Sequence, residues 1–269
     1  MEEFYWNFKQ VRFRGLKWVP EKYDRMMIIV HGIGEHIGRY EHVAEFFSAR
    51  GYIVLGIDHY GHGKTDGQKG DSKGFDFMFD YLEHFLLEMQ VRYQKDTVMY
   101  GHSMGGGVLT GFLLKRQPQL KDAVISAPAL IIATKPGSFL KGLLRVLNKL
   151  VPHVRIPQGL EIDKISHDPI VVDKFRKDPL RHGKISFRLA HDMIRNGDFC
   201  LEHASLLHVR SLLIHGDADE FTAVEGSRIF ASRAPADLLT YREWPGLYHE
   251  MHNEYDSAVV LQFIADWLV

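Results

Sequence analysis

The sequence predicts an α/β fold: a mostly parallel central sheet with helices on both faces and a helical cap insertion in the middle stretch of the chain. Three observations predict it. Short apolar runs at residues 26–30, 52–57, 97–100, 123–126 and 211–214 alternate with segments of helical period. The runs are continuous rather than alternating, as in strands covered on both faces. From about residue 129 to 206 the alternation stops, and a helical pattern broken by Pro and Gly replaces it.

Taken in order, residues 4–8 and 11–19 form an opening antiparallel pair, and Met26-Met27-Ile28-Ile29-Val30 is a central strand ending at His31-Gly32. Residues 39–50 place Val43, Phe46 and Phe47 at helical spacing before Gly51. A strand at 52–57, a long amphipathic helix at 75–93, a strand at 97–100 and a helix after Ser103 follow. Beyond the strand at 123–126 comes the insertion, then a strand at 211–214, a helix at 224–233, a strand at 239–243 and a closing helix near 255–268. The core is thus expected at 1–128 and 206–269, with the insertion, 129–205, lying over the carboxyl ends of the strands.

Composition narrows the function. The chain of 269 residues is 45% hydrophobic and 25% charged, ordinary for a soluble domain with a large core. Its formal net charge is -1 and no long basic run occurs, which argues against a nucleic-acid partner. A single cysteine, Cys200, excludes an internal disulfide framework and suggests a reducing compartment; it reads as a packed residue rather than a reactive thiol. The first ten residues are acidic and aromatic, unlike a secretory leader. No apolar run reaches the roughly 20 residues that cross a bilayer. A cytoplasmic protein, with at most peripheral membrane contact, is expected.

The chemistry starts at Gly101-His102-Ser103-Met104-Gly105, between a strand and a helix. Such a turn holds a serine exposed in a strained conformation, and side chains two before and two after it would clash. A serine hydroxyl needs a base. His249 follows the strand at 239–243 and its loop; His252 is the rival, and the chain has sixteen histidines. Position after the strand favours His249. The orienting acid should follow the strand at 211–214, where Asp217 and Asp219 are candidates. Asp219 is chosen, because Asp217 stands where the turn backbone needs an acceptor. The order Ser, Asp, His is the one this nucleophile turn carries. An oxyanion site needs two backbone donors: the N–H of Met104, and the N–H of Ile33 in the glycine-flanked loop His31-Gly32-Ile33-Gly34. No metal or cofactor is called for.

His31-Gly32-Ile33-Gly34-Glu35-His36-Ile37-Gly38-Arg39-Tyr40, Asp58-His59-Tyr60-Gly61-His62-Gly63, the Gly-His-Ser-Met-Gly turn, Gly216-Asp217-Ala218-Asp219 and Tyr248-His249-Glu250-Met251-His252-Asn253-Glu254 together closely resemble the monoacylglycerol lipase family of α/β-hydrolases. The resemblance spans the core and is weak in the insertion, apart from Arg176-Lys177-Asp178-Pro179-Leu180. It implies an acylglycerol ester hydrolase with a helical lid and no metal, with Ser103, Asp219 and His249 as triad and Ile33 and Met104 as oxyanion donors. It also implies that Glu35, Arg39 and His252 surround the glycerol end of the substrate. Asp58 and His62 read as loop scaffolding.

Residues 138–151 put Leu140, Leu143, Leu144, Leu147, Leu150 and Val151 on one helical face, with Lys141, Arg145 and Lys149 on another. Two roles fit: a helix lying in a lipid surface, or a lid over an acyl tunnel. Lysophospholipase and small-ester carboxylesterase activities are rivals on the same machinery. A non-catalytic binder would not need the serine, acid, base and glycine loop together. An Asp-nucleophile epoxide hydrolase or dehalogenase is excluded by the serine at the turn. An aminopeptidase would need acidic anchoring of a substrate amine, for which Glu35 alone is thin support.

Overall fold

The computed structural model describes residues 1–133 and 137–269. Strands β1 (Glu2–Phe8) and β2 (Val11–Trp18) form an antiparallel hairpin. After β3 (Arg25–Val30), a 3-10 turn at Ile37–Tyr40 leads into α1 (Glu41–Ser48). Then come β4 (Tyr52–Ile57), α2 (Phe75–Tyr93), β5 (Asp96–His102), α3 (Met104–Arg116) and β6 (Asp122–Ser126). The insertion holds α4 (Ser138–Leu150), β7 (Arg155–Pro157), α5 (Pro169–Lys177), β8 (Lys184–Ser186) and α6 (Phe187–Glu202). The chain closes with β9 (Ser211–Gly216), α7 (Val224–Arg233), β10 (Leu239–Trp244) and α8 (Ser257–Trp267).

Eight strands form one sheet in the order β1-β2-β4-β3-β5-β6-β9-β10. From β4 to β10 along the sheet every pairing is parallel, and β2 alone runs against the rest, antiparallel to both β1 and β4. Alternation of side chains along β3 divides the core in two. Met26, Ile28 and Val30 pack with α2 and α3 on one face. Met27 and Ile29 pack with α1 and α8 on the other. That explains why β3 is continuously apolar: neither face meets water. The six parallel strands end together, so the loops after β3, β5, β9 and β10 meet along one edge.

The insertion differs from a purely helical cover over 129–205. Residues 134–136 lie outside the described residues. β7 and β8 pair as a short antiparallel ribbon. α6 is as much core as cover: Leu189, Met193 and Cys200 join the α2–α3 side of the core. It lies against α3, where Asn196 Nδ2 donates to the Gly107 carbonyl at 2.7 Å, and Gly111 leaves room for the Asn196 amide. The helical period of 187–202 is legible in the sequence. Its partner is not, because α3 and the first residues of α6 are some seventy positions apart. Cys200 is fully buried, and burial pushes its thiol up to about 12, in keeping with a packed residue.

Gly105 sets the closest approach of α3 to the sheet. A Cβ there would overlap the carbonyl oxygens of Val30 and His31, both backbone atoms that no rotamer change can move. Gly105→Ala is therefore expected to cost about 1–3 kcal/mol, the usual range for overpacking. Thermal unfolding should register it as a melting point several degrees below the parent's.

Candidate active site

Each candidate side chain sits on a loop at the carboxyl edge of the sheet. Ser103 stands between β5 and α3 at φ 56°, ψ -121°, a conformation L residues rarely adopt. The backbone around it is pinned: its N–H donates to Ser126 O at 3.0 Å, and its carbonyl accepts from Ala129 N at 2.9 Å. Gly101 and Gly105, two before and two after, have no room for a Cβ.

The structure brings the three predicted side chains into one line. The Ser103 hydroxyl donates to His249 Nε2 at 2.8 Å, and His249 Nδ1 donates to Asp219 Oδ2 at 2.7 Å. Asp219 Oδ2 also accepts from Thr222 Oγ1 at 2.7 Å and His215 Nε2 at 3.1 Å. Its Oδ1 accepts from the N–H groups of Phe221 and Thr222. Asp217 does accept a backbone donor, but from Gly246 across the neighbouring loop at 2.6 Å. Burial alone would raise the Asp219 pKa; the charge of His249 and the hydrogen bonds from His215 and His249 outweigh it and hold the carboxyl far below the usual range. Burial likewise draws the His249 imidazole down, but Asp219, with Glu250 and Glu35 behind it, leaves it above the ordinary imidazole value.

Ile33 and Met104 flank Ser103. Among the described residues neither backbone N–H has an acceptor, as an anion site requires. The loop carrying Ile33 is held from beneath: His31 Nε2 accepts from His59 N–H at 2.9 Å. Asp58 takes the N–H groups of Ile37 and Lys64, both at 2.9 Å, which is the scaffolding expected of it. His62 is buried, with Nδ1 donating to Tyr60 O.

Glu35 and Arg39 meet here too, with a partner the sequence reading missed. Glu35 Oε1 accepts from Gly32 N at 2.5 Å and from the Tyr40 hydroxyl at 2.7 Å, while Arg39 Nη1 donates to its Oε2 at 2.6 Å. The same guanidinium spans both oxygens of Glu250 at 2.6 and 2.7 Å. Burial opposes the Glu250 charge, yet Arg39 brings its carboxyl down to about 2. The available signal was the carboxylate directly after His249.

His252 is the exception. It does not line the cavity above Ser103. Its ring stacks on Tyr40 with centroids 5.1 Å apart, and Nδ1 meets the Tyr100 hydroxyl at 3.3 Å. Burial drives its pKa well below the usual value, so an uncharged ring fits among aromatic neighbours. It borders a separate polar cavity of about 660 Å³ between α1 and α5.

The cavity over Ser103 measures about 490 Å³. Ser103, His249, Glu35 and Arg39 line it, while Leu140, Leu143, Leu144 and Leu147 of α4 and Ile185 and Met193 make its wall apolar. No cluster of three or more metal-ligating side chains occurs among the described residues.

A largely parallel sheet in this strand order, with a serine at the strand–helix turn and a cover inserted after β6, defines an α/β-hydrolase. The family described as serine aminopeptidase, S33, matches residues 21–256. A monoacylglycerol lipase of Mycolicibacterium smegmatis is 32% identical over 94% of this chain and 91% of its own length. Phospholipase YtpA of Bacillus subtilis is 26% identical over 91% of this chain and 95% of its own. The crystal structure of Paleococcus ferrophilus monoacylglycerol lipase superposes with a TM-score of 0.88 at 28% identity, covering 100% of this chain and 98% of that one. The chain belongs to the S33 serine hydrolase family that contains the monoacylglycerol lipases, as the sequence resemblance implied.

The electrostatics can be tested directly. Asp219→Asn removes the nearest negative charge, so the His249 imidazolium should lose its proton at a lower pH than in the parent. Proton NMR of the imidazole resonances reads the shift; an unchanged titration would refute the assignment of Asp219 as its cause.

Proposed function

We propose that this chain is a serine ester hydrolase that cleaves monoacylglycerols to fatty acid and glycerol. The observation that carries the reading is the unbroken hydrogen-bond chain Asp219–His249–Ser103, opening on an apolar cavity with a polar cluster beside it.

In this reading His249 takes the Ser103 proton as Oγ attacks the ester carbonyl. The N–H groups of Ile33 and Met104 hold the oxyanion, and Asp219 stabilises the imidazolium. His249 then protonates the departing glycerol, and water clears the acyl-enzyme by the same route. Glu35 and Arg39 serve the alcohol end: with three donors already on its two oxygens, the Glu35 carboxylate keeps an acceptor site on Oε2 for a glycerol hydroxyl. The α4 leucines, Ile185 and Met193 take the acyl chain. The insertion acts as the cap. Peptidase chemistry fits less well, since a substrate amine needs a free carboxylate and both carboxylates here are held by Arg39.

We also place a peripheral lipid contact at α4. Phe139, Val146 and Leu150 are exposed there beside Lys141, Arg145 and Lys149, a combination suited to an anionic surface. No helix among the described residues is long and apolar enough to cross a membrane.

Ser103→Ala should abolish turnover and fluorophosphonate labelling while leaving the melting transition in place; near-native esterase activity would end the assignment. In a rate panel of mono-, di- and triacylglycerols, the monoacylglycerol should be fastest. For α4, flotation with liposomes should recover the protein with anionic but not with neutral vesicles.

A further inference from the structure

The loop that carries the Ile33 N–H is pinned on its flanks by the core. His31 Nε2 accepts from the His59 N–H at 2.9 Å, and Glu35 Oε1 accepts from the Gly32 N–H at 2.5 Å. Ile33 and Gly34 form the tip between these anchors. Gly34 stands at φ 74°, a conformation that leaves its backbone free to swing. Among the described residues the tip makes a single hydrogen bond: the Gly34 carbonyl accepts from the His182 N–H at 3.0 Å. His182 lies in the insertion, between α5 and β8.

The ribbon end of the insertion is bolted to the core rather than laid over it. The Ser186 N–H donates to Gly70 O at 2.8 Å, and Arg155 Nη1 donates to Lys69 O at 3.1 Å. A Cβ at Gly70 would overlap the Lys184 carbonyl, and one at Gly34 the His182 carbonyl. Both core loops therefore approach the ribbon as closely as backbone can. The ribbon is tied internally as well: the Gln158 N–H donates to Gly183 O and its Nε2 to Lys184 O, both at 2.9 Å. The His182 ring packs on His62 with centroids 4.6 Å apart, and its Nδ1 donates to Lys184 O at 3.1 Å. α4 is held differently. Among the described residues its side chains bond to α6 alone, Asn148 to His191 at 3.1 Å and Lys141 to Asp198 at 3.2 Å.

We propose that His182 is a positioning residue: its backbone N–H seats the Ile33–Gly34 turn, so the ribbon end of the insertion belongs to the oxyanion site and not only to the cover. The proposal rests on the ester-hydrolase reading above. An oxyanion donor is effective when its direction is fixed before charge develops. A tip without its one hydrogen bond has to be ordered during the reaction instead. In this arrangement α4 can move without disturbing the oxyanion site, and the ribbon cannot.

The test uses 4-nitrophenyl butyrate, a short soluble ester. His182→Pro removes the N–H and should lower kcat at least tenfold, with KM within threefold of the parent's. His182→Ala keeps the N–H and should recover most of that kcat. A second readout separates positioning from general damage. A trifluoromethyl ketone is attacked by Ser103 Oγ; the carbonyl π pair goes to oxygen, the proton goes to His249, and the adduct carries an oxyanion. His182→Pro should weaken this inhibitor at least tenfold and the matching methyl ketone less than twofold. Parent-like kcat in His182→Pro, equal weakening of both ketones, or an equal loss in His182→Ala would each overturn the proposal while leaving the hydrolase reading intact. A parent protein that does not cleave the ester sinks both. Should His182→Pro fail to fold, amide hydrogen exchange on the parent protein decides, because coupling between the two sites is reciprocal. The trifluoromethyl ketone adduct should slow exchange at the His182 amide at least fivefold more than at the Ser186 amide, and equal slowing overturns the proposal.

Discussion

One constraint governs this molecule: Ser103 is held at a positive φ between β5 and α3. A non-glycine residue in such a conformation costs of order 1–3 kcal/mol. The surroundings offset that cost locally. The Ser103 N–H and carbonyl are both satisfied by the segment from Ser126 to Ala129, and α3 beds on the sheet through Gly105. The strain gives a hydroxyl that leaves the strand end at the height of the loops after β9 and β10. Without the sharp turn, His249 Nε2 would lose the Ser103 hydroxyl, its one hydrogen-bond partner among the described residues.

Around that turn the buried charges are arranged as closed groups. Asp219 collects side-chain donors from His249, His215 and Thr222 and two backbone N–H groups. Arg39 lies between Glu35 and Glu250. A buried ion pair is tolerated only when its remaining lone pairs and protons are met; Asp219 satisfies that condition with five donors, and Glu35 does so up to the one acceptor site left for substrate. The consequence is functional as well as structural. Two carboxylates against one guanidinium leave net negative charge near His249, which favours its imidazolium.

The sheet was legible in the sequence because its signals are local. Continuous apolar runs mark β3, β4 and β9, and the amphipathic period of α2 ends where the structure ends it, at Tyr93. Ser103, Asp219 and His249 were legible because each follows a strand, and parallel strands bring such positions to a common edge. What stayed hidden depends on distant partners. Glu250 has a role only because Arg39, 211 positions away, reaches it. His252 carries the same residue type as His249 but packs on Tyr40 and Tyr100. The inward half of α6 is decided by Asn196 and Gly111 meeting across two helices. The two-stranded ribbon consists of three-residue strands, too short for any period to register.

The two roles weighed for α4, lid and lipid contact, are not exclusive once its surroundings are considered. Leu144 and Leu147 are partly covered and line the cavity, while Leu140 and Leu143 line it and remain largely open to solvent. Phe139, Val146 and Leu150 are exposed and absent from the cavity wall. A stripe needed only to roof a tunnel would end where the tunnel ends, because further apolar surface facing water gains nothing. Here the apolar surface runs on past the cavity and is flanked by Lys141, Arg145 and Lys149. A continuous apolar surface from outside to cavity is what a single-chain lipid needs to pass without exposing its tail to water. On that physical ground the proposed roof of the tunnel and the proposed contact with a lipid surface are compatible as two parts of one helix.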